Sequence, residues 1–218
     1  MTNNPPTFDM ERSIQSEMNI TTIAGVDEVG RGALAGPLVA AAVVFSNYNK
    51  MQPLLAGVTD SKKLTAQKRQ SLSTTIMKLA DDYALGIVAS EEIDSIGIGQ
   101  ANILAFTRAL DKLRSCNYAL IDGRHFRGFS YPYQCVEKGD SISLSVAAAS
   151  IIAKVYRDHL MEEWHRFVPE YGFDKNKGYG SAHHMNTLRR VGPSVYHRKS
   201  FLKFLSERNK LNLADKLL

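Results

Sequence analysis

The segment at residues 23–32, Ile-Ala-Gly-Val-Asp-Glu-Val-Gly-Arg-Gly, constrains this chain more than any other. Its apolar start has the pattern of a β-strand, and that strand delivers Asp27 and Glu28 as adjacent carboxylates ahead of a glycine-rich turn. Carboxylate oxygens are the ligands that Mg²⁺ and Mn²⁺ prefer. Gly30 and Gly32 let backbone N–H groups approach an anion that a Cβ would hold off. The segment predicts a metal and phosphate site, although alone it also fits a strand that ends in a solvated turn.

Two further acids strengthen this interpretation. Asp122 closes a short apolar run at residues 118–122, just before a glycine, and ligands of open α/β sheets bind at the C-terminal edge of the strands. Asp140 stands ahead of an alanine-rich apolar segment, residues 142–155, which has the character of a buried helix. Taken singly, an acid at this place also fits an ordinary helix cap. Together with the first pair, the two acids favour one carboxylate cluster.

The hydrophobic pattern predicts an α/β chain in which strands and helices alternate. The second strand is apolar almost throughout, so we expect it to be buried on both faces. Thr65 is the expected N-cap of the second helix, and Pro169 with Gly172 ends the last long helical stretch. The predicted strands are residues 20–26, 38–45, 83–88, 118–121 and 133–136, and the predicted helices are residues 7–17, 65–80, 100–114 and 142–167.

The charge balance favours a polyanionic partner. Lysine and arginine number 27 against 22 aspartate and glutamate residues, which gives a net charge of +5. The basic residues crowd the last quarter of the chain, although Lys203, Arg208 and Lys210 also fit a solvated helix face. The crowded positions are Lys175, Lys177, Arg189, Arg190, Arg198, Lys199, Lys203, Arg208 and Lys210.

The two cysteines, Cys116 and Cys135, are too far apart for a Cys-x-x-Cys motif. We expect them to be reduced structural thiols. The chain contains no apolar run near the roughly 18 to 20 residues that cross a bilayer, and its start lacks the pattern of a signal peptide. The expected location is therefore the cytoplasm, without a membrane partner.

Seven short strings occur here in the order in which one known family has them. They are residues 24–32, 36–43, 60–64, 121–123, 138–140, 147–155 and 177–180. On these strings the chain resembles the ribonuclease HII family over about residues 8–201. Ala33 and Ser181 stand where that family often has proline and threonine, but neither side chain carries chemistry. Each string alone is short, and it is their common order that makes the resemblance specific.

The resemblance implies a ribonuclease H-like α/β fold, with a mixed five-stranded sheet flanked by helices and a helical C-terminal portion. Its expected organisation is a disordered tail at residues 1–6, a catalytic domain at residues 7–169, and a C-terminal portion at residues 170–218 that packs on that domain. The expected oligomeric state is a monomer.

The resemblance also implies an endonuclease with two kinds of substrate. It would hydrolyse the RNA strand of RNA/DNA hybrids and incise 5′ of ribonucleotides embedded in duplex DNA, leaving 3′-hydroxyl and 5′-phosphate ends. Two Mg²⁺ or Mn²⁺ ions per active site would flank the scissile phosphate. The expected catalytic residues and metal ligands are Asp27, Glu28, Asp122 and Asp140.

Such an enzyme has to read the sugar, because the 2′-hydroxyl is what distinguishes RNA from DNA. By the resemblance, the backbone of Gly30, Arg31 and Gly32 contacts that hydroxyl. The ring of Tyr179 would pack on the deoxyribose that follows the ribonucleotide and join the hydroxyl contact. Lys62 would hold a phosphate near the cut, whereas its neighbour Lys63 fits a solvated position equally well.

Several basic side chains near these motifs stay open in the sequence. Arg124, His125 and Arg127 come shortly after Asp122 and fit either phosphate contacts or the solvated surface. His183 and His184 invite a metal interpretation, but adjacent residues of a helix point about 100° apart and do not converge on one ion.

The C-terminal tail, residues 211–218, has leucines that fit an amphipathic helix on the domain itself. Docking of this tail on a replication clamp is an alternative, but the tail carries no clear motif for it.

The sequence is also compatible with two other classes of function. A catalytically inert nucleic-acid-binding module needs the basic residues but not four acids near turns, and its affinity would ignore divalent cations. A different two-metal nuclease, of the Holliday-junction or transposase type, would keep the acids without requiring the Gly-Arg-Gly string and Tyr179 together. Cleavage of a duplex that carries one ribonucleotide, with and without Mg²⁺, separates the three classes.

Overall fold

A five-stranded mixed sheet forms the centre of the computed structural model, which describes residues 4–125 and 127–205. The strand order is β3-β2-β1-β4-β5. Strand β1 pairs antiparallel with β2 and parallel with β4, while β2–β3 is antiparallel and β4–β5 is parallel. The mixed sheet confirms the predicted fold class. The strands are β1 Ile23–Val29, β2 Leu38–Val44, β3 Asp82–Val88, β4 Tyr118–Asp122 and β5 Tyr133–Val136.

Helices cover both faces of the sheet. They are α1 Asp9–Met18, α2 Tyr48–Leu54, α3 Ala66–Leu79, α4 Ser90–Leu110, α5 Leu144–His165, α6 Phe173–Asn176 and α7 Ala182–Val191. Helix α5 packs on β1 and β2 from one side, and α4 packs on β2 and β3 from the other. Alternate residues of β2 therefore enter two different cores, and every residue of that strand is buried, as predicted.

The first strand begins and ends three residues later than the sequence predicts, at residues 23–29 rather than 20–26. We expected it to end at residue 26, yet its pairing with β2 continues through Asp27, Glu28 and Val29. The ladder of backbone hydrogen bonds to β2 outweighs the low strand propensity of acidic residues. The two carboxylates thus project from a rigid strand rather than from the turn that follows it.

A close approach between β1 and α5 fixes this strand against the helix. A Cβ added at Gly25 would lie 2.2 Å from the carbonyl carbon of Ser145 and 2.4 Å from the backbone nitrogen of Val146. Only glycine fits this position, because any side chain would push the first turn of α5 away from the sheet. The start of α5 is thereby held beside the strand that carries Asp27.

Glu11 of α1 ties that helix to the same first turn of α5. Its fully buried carboxylate accepts hydrogen bonds from the Ser143 hydroxyl at 2.6 Å and from the Ser145 hydroxyl and backbone N–H at 2.5 and 3.2 Å. Burial raises the pKa of Glu11, although these hydrogen bonds lower it in part. The sequence pattern showed only apolar packing residues on α1 and gave no sign of this contact.

Two helices differ from the prediction. The short α2 was missed, since it contains Pro53 and has little amphipathic pattern; the Asn47 side chain caps it by accepting from the Lys50 N–H. Helix α4 begins at Ser90 rather than at residue 100, and a kink at Gly97, with φ of 77°, divides it. The Glu92 carboxylate closes its first turn through the Ala89 N–H at 3.0 Å.

The C-terminal portion is largely helical as far as it is described. A small core joins it to α5 through Met161, and the other members of that core are Ala35, Tyr171, Phe173, Leu188 and Leu202. The tail predicted at residues 211–218 lies outside the described residues, as do residues 1–3 of the expected disordered start.

Two further expectations concern the thiols and the membrane. Cys116 and Cys135 are both free of disulfides, in agreement with the prediction of reduced thiols. None of the helices in the described ranges is both long and apolar enough to span a lipid bilayer.

Candidate active site

The fold brings the four predicted carboxylates to one edge of the sheet. Asp27 and Glu28 lie near the end of β1, and Asp122 is the last residue of the parallel neighbour β4. The register pairs Val26 with Ile121, so Asp27 and Asp122 each follow a paired residue on adjacent strands. Asp140 lies in a single 3-10 turn, Gly139–Ser141, directly before α5. This is the C-terminal strand edge at which the sequence predicted a site.

Backbone hydrogen bonds hold two of these carboxylates. One oxygen of Asp27 accepts from the Glu28 N–H at 2.7 Å, and one oxygen of Asp122 accepts from the Gly139 N–H at 2.7 Å. The second bond connects the end of β4 to the turn that carries Asp140. Each of these acids keeps a second carboxylate oxygen for another partner.

Burial and crowding raise the pKa values of all four acids. Burial has the largest effect on Asp27, whose pKa lies well above its usual range, and the carboxylates of Glu28 and Asp122 add to it. Burial raises the pKa of Glu28 to about 7 even though Arg31 opposes the shift. Burial and then neighbouring carboxylates raise the pKa of Asp140 to about 6, and burial also raises the pKa of Asp122. Four acids that resist ionisation together indicate a site for a cation.

The donor set fits a hard divalent cation. All four side chains offer carboxylate oxygens, the ligands of Mg²⁺ and Mn²⁺, and a bound cation would relieve their mutual repulsion. Within residues 4–125 and 127–205, however, no three acidic, histidine or cysteine side chains are already gathered in the geometry of a closed metal site. The arrangement is that of an open cluster.

A fifth acid, Asp60, faces this cluster and was missed as a site residue in the sequence. Its side chain accepts from the Lys62 N–H at 2.9 Å, which caps the 3-10 turn Ser61–Lys63, and its carboxylate is close enough to Asp140 to raise the pKa of that acid. A cavity of about 450 Å³ lies between them, and Asp60, Lys62, Asp122 and Asp140 line it. The only signal in the sequence was the capping position ahead of the Ser-Lys-Lys turn.

Lys62 lies beside the carboxylates, on the wall of the same cavity. Partial burial opposes its charge, but Asp27, Asp140 and other nearby acids outweigh burial and raise the pKa of its ammonium. Arg69 of α3 fixes the turn that carries Lys62 by donating to the Ser61 and Leu64 carbonyls at 3.0 and 2.5 Å. Lys63 is exposed and lines the same cavity.

Asn102 of α4 supports Glu28 from the other side of the strand. It is buried, and its side-chain amide interacts with the Glu28 carboxylate in a way that lowers the pKa of Glu28 against the effect of burial. No sequence signal identified it, because a single asparagine within a helical pattern has no recognisable role until the packing is known.

The Gly-Arg-Gly string forms the predicted turn directly after β1, closed by a hydrogen bond from the Ala33 N–H to the Gly30 carbonyl at 3.2 Å. Gly30 has φ of 91°, and a Cβ there would lie 2.2 Å from Nε of Arg157. A Cβ at Gly32 would meet nothing within 4 Å, so this side of the turn is open. The Arg31 side chain is exposed, with its guanidinium 3.9 Å from the Glu28 carboxylate.

Two buried arginines join this turn to the Tyr179 loop. Arg157 of α5 donates to the carbonyls of Pro37 at 2.9 Å, Ala35 at 3.0 Å and Lys177 at 2.8 Å. Its guanidinium carbon lies 5.5 Å from the centre of the Tyr179 ring. The sequence did not identify either of these two arginines, Arg157 or Arg198, as a residue of this site.

Arg198 is the second of these arginines, and it donates to the carbonyls of Gly36 at 2.9 Å and Arg31 at 3.1 Å. The sequence counted Arg198 among the crowded basic residues that favour a polyanionic partner, but its side chain is fully buried and therefore does not contribute to such a surface. Burial lowers its pKa to about 9, and the nearby Arg157 adds to this shift. Its role is to order the Gly-Arg-Gly turn from beneath.

Tyr179 keeps 36% of its surface exposed beside the Gly-Arg-Gly turn. The Gly178 carbonyl next to it accepts from the N–H groups of Leu34 at 2.8 Å and Ala35 at 3.2 Å. The turn and the tyrosine loop are thus parts of one hydrogen-bonded body, although about 150 residues separate them in the sequence.

The basic side chains whose role the sequence left undecided differ in their positions. Arg124 pairs with Glu137 at 3.0 Å on the rim of the cavity, and Nδ1 of His125 is 2.8 Å from the Tyr133 hydroxyl. Arg127 is exposed. His183 is exposed and His184 is buried, so the two imidazoles point in different directions, as helix geometry requires.

A family profile described as Ribonuclease HII matches residues 24–204. The ribonuclease HII of Paramagnetospirillum magneticum is 47% identical over 180 residues, which are 82% of this chain and 89% of that protein. The ribonuclease HII of a Wolbachia from Brugia malayi is 45% identical over 202 residues, which are 92% of this chain and 95% of that protein. These relatives confirm the resemblance that the sequence motifs indicated.

Solved structures agree with the sequence relatives. The ribonuclease H2 of Pyrococcus horikoshii OT3 superimposes with a TM-score of 0.72 at 28% identity, covering 86% of this chain and 98% of its own. The RNase HII of Archaeoglobus fulgidus, solved as a complex with PCNA, has a TM-score of 0.71 at 25% identity, with 83% and 94% covered. Bst-RNase HIII in complex with Mn²⁺ has a TM-score of 0.63 at 26% identity, with 78% and 63% covered. With its fold, its sheet-edge carboxylates and these matches, the chain belongs to the ribonuclease HII family and is a ribonuclease H, an enzyme of the class that acts on RNA/DNA hybrids.

Proposed function

We propose that this ribonuclease H is an endonuclease that cuts the RNA strand of hybrids and also incises 5′ of single ribonucleotides in duplex DNA, giving 3′-hydroxyl and 5′-phosphate ends. One observation carries the proposal. Four acids with raised pKa values share a sheet edge with the Gly-Arg-Gly turn, which is hydrogen-bonded to the Tyr179 loop. The acids that would bind the metal ions at the phosphate therefore lie next to the turn and loop that would contact the sugar.

Asp27, Glu28, Asp122 and Asp140 would hold the divalent ions, two Mg²⁺ or Mn²⁺ during catalysis. Bound there, the ions would supply an activated water for in-line attack and stabilisation of the leaving 3′-oxygen. The Mn²⁺ complex of the similar Bst-RNase HIII supports this choice of metal. The chain itself contributes rigid placement, since Asp27 and Glu28 project from a paired strand and Asp122 is bonded to the Gly139 N–H.

Lys62 and the Gly-Arg-Gly turn would place the substrate. The Lys62 ammonium lies on the cavity wall and is the charge that would bind a phosphate beside the cut. The backbone of Gly30, Arg31 and Gly32 would contact the 2′-hydroxyl from the open side of the turn. The half-exposed Tyr179 ring would pack on the sugar that follows.

The alternatives fit the structure less well. An inert binding module has no need for four acids whose burial raises their pKa values, and a two-metal nuclease that ignores the sugar has no need for the bonded Tyr179 loop. We further propose a cytoplasmic monomer of one catalytic domain with a packed C-terminal portion. The PCNA complex of the Archaeoglobus enzyme makes a clamp a reasonable partner to test, although the tail in question lies outside the described residues.

The first prediction tests the reaction and its metal ligands together. The wild-type protein should cut a DNA duplex carrying one ribonucleotide only when Mg²⁺ or Mn²⁺ is present. Asp122→Asn should slow this cut by about 10³-fold, because metal ions stabilise the transition state by several kcal/mol, while duplex affinity stays within about threefold. Gel analysis of the ends and a filter-binding titration measure both quantities. Cleavage by Asp122→Asn at the wild-type rate would remove Asp122 from the ligand set, and cleavage in EDTA would refute the mechanism.

The second prediction concerns the metal-free protein. Asparagine keeps the oxygen that accepts from Gly139 but removes one charge from the repelling cluster. Asp122→Asn should therefore stabilise the apo protein by on the order of 1 kcal/mol, or about 2–4 °C in Tm. The pKa values of these acids are higher in the folded protein than in the unfolded chain. Their contribution to the free energy of unfolding is therefore fully present below about pH 4. It is lost as the pH rises through the folded pKa values of about 6 for Asp140 and about 7 for Glu28.

The gain from Asp122→Asn should accordingly be larger at pH 8 than at pH 5. Thermal unfolding in EDTA at the two pH values measures it. A lower Tm for the variant at pH 8 would mean that structural partners stabilise the ionised Asp122, and that repulsion is not the dominant effect.

The third prediction tests sugar recognition by Tyr179. Tyr179→Ala should lower kcat on a single-ribonucleotide duplex by about 5- to 160-fold, since an aromatic platform contributes about 1–3 kcal/mol and a displaced sugar also displaces the phosphate. Tyr179→Phe should lose less. An uninterrupted hybrid has no deoxyribose at this position, so the loss there should be smaller.

Tyr156 of α5 provides the matched control for this series, because it is a tyrosine of similar exposure, 38% against 36%. Tyr156→Ala should leave unchanged the ratio of kcat on the single-ribonucleotide duplex to kcat on the uninterrupted hybrid. If Tyr179→Ala cuts the single-ribonucleotide duplex as fast as the wild type does, another group reads the sugar.

A further inference from the structure

Two buried histidines lie directly behind the Tyr179 loop. His184 of α7 and His197 of the following loop are 0% and 2% exposed. Nε2 of one lies 2.9 Å from Nε2 of the other, and Nδ1 of His184 lies 2.8 Å from the Tyr179 carbonyl oxygen. Nδ1 of His197 accepts from the Ser194 N–H at 3.0 Å. A continuous chain of hydrogen bonds therefore runs from Ser194 to the backbone of Tyr179.

The partners at the two ends fix every proton in this chain. A carbonyl oxygen only accepts, so Nδ1 of His184 carries a proton and its Nε2 does not. The Ser194 N–H only donates, so Nδ1 of His197 is bare and its Nε2 carries the proton, and the Ser194 hydroxyl, 2.9 Å from the same Nδ1, then acts as a second donor. His197 consequently donates to His184, and each ring nitrogen has a partner. Only this one pair of neutral tautomers satisfies all three bonds.

The surroundings support a neutral pair. Burial lowers the pKa of both imidazoles, that of His197 to about 4, and each ring is packed against Tyr171 and Phe173. A proton added to His184 would make two N–H groups face each other across 2.9 Å, and one added to His197 would make its Nδ1–H face the Ser194 N–H across 3.0 Å. The pair also offers no free nitrogen lone pair, so it is not a metal site.

The chain continues from the histidines to the Gly-Arg-Gly turn. Arg198, next to His197, donates its N–H to the Leu34 carbonyl at 2.9 Å, and the Leu34 N–H donates to the Gly178 carbonyl at 2.8 Å. The residue pair Ala35 and His197 forms an isolated β-bridge. The histidines therefore close a ring of backbone contacts around Tyr179, in which His184 is the side chain that bonds to the Tyr179 carbonyl, beside the Ser181 N–H at 2.8 Å.

We propose that His184, held in its Nδ1–H tautomer by His197, is a positioning residue that sets the Tyr179 backbone and with it the angle at which the Tyr179 ring meets the sugar. This inference rests on the proposed role of Tyr179 in substrate recognition. His184 does not contact the substrate, and its effect should appear in discrimination between substrates rather than in the chemistry common to both.

Two substitutions separate positioning from simple packing. In His184→Asn the amide nitrogen occupies the place of Nδ1 and still donates to the Tyr179 carbonyl, whereas the bond to His197 is lost. In His184→Gln the side chain reaches His197, and the Tyr179 carbonyl loses its side-chain donor and keeps only the Ser181 N–H at 2.8 Å. A purely structural role predicts similar effects for the two variants, because each loses one of the two bonds.

The readout is kcat on a single-ribonucleotide duplex divided by kcat on an uninterrupted RNA/DNA hybrid. His184→Gln should lower this ratio by about three- to tenfold, the range expected for one hydrogen bond, and His184→Asn should stay near the wild type. His183→Gln is the control, since His183 is the exposed neighbour on the same helix, and it should leave the ratio unchanged. Equal ratios for His184→Gln and His184→Asn would overturn the proposal.

Tyr179→Ala in the same assay distinguishes the proposed role of Tyr179 from the proposed role of His184. If that variant keeps the wild-type ratio, the proposed function of Tyr179 fails. If Tyr179→Ala lowers the ratio and folded His184→Gln does not, the positioning role of His184 alone fails. Should His184→Gln not fold, His197→Asn replaces it: the Asn oxygen still accepts from Ser194, but His184 loses the donor that fixes its tautomer. A smaller fall in the ratio is expected there, and a wild-type ratio would contradict the proposal.

The tautomers themselves are measurable in the wild-type protein without substrate. Long-range ¹H–¹⁵N NMR spectra should show His184 protonated at Nδ1 and His197 at Nε2 at pH 7. Protonation of His184 at Nε2 would exclude a bond to the Tyr179 carbonyl and so overturn the inference whatever the cleavage rates show.

Discussion

The mutual repulsion of four carboxylates at one sheet edge is the constraint on which the rest of the structure depends. Left to themselves, Asp27, Glu28, Asp122 and Asp140 would move apart or take up protons, and their raised pKa values show both burial and crowding. The fold resists this through strand pairing of β1, the close contact at Gly25 and the bond from Gly139 to Asp122. A rigid, strained cluster of this kind is what makes cation binding favourable.

A second constraint acts on the side of the substrate. The Gly-Arg-Gly turn and the Tyr179 loop come from distant parts of the sequence, and buried side chains join them: Arg157 and Arg198 through carbonyl groups, and His184 through the Tyr179 backbone. Arginine suits this place because its guanidinium donates to several carbonyls at once. The proposed sugar contact and the proposed metal cluster are thereby held at a fixed separation by the protein interior, and this is what discrimination between RNA and DNA requires.

The sequence predicted the sheet, the four acids and the two recognition strings, because each has a local signature: an apolar run, an Asp-Gly turn or a glycine pair. It failed where tertiary packing decides. Strand β1 extends through Glu28 because β2 pairs with it, and Arg198 is buried because carbonyl groups surround it. Asp60, Asn102, Arg157 and the His184–His197 pair have no signature at all, since an isolated polar residue in a helix or loop has the same pattern whether it is solvated or supports a site.

Binding of Mn²⁺ to the substrate-free protein as a function of pH tests the central claim most directly. If the cation replaces protons on the crowded acids, the apparent Kd from the electron paramagnetic resonance signal of free Mn²⁺ should fall as the pH rises from 5.5 to 7.5. The expected slope is about tenfold per pH unit for each proton displaced, through the pKa values of about 6 for Asp140 and about 7 for Glu28. Asp122→Asn should weaken binding at every pH. A Kd that does not change with pH, or that is the same in the variant, would contradict the account.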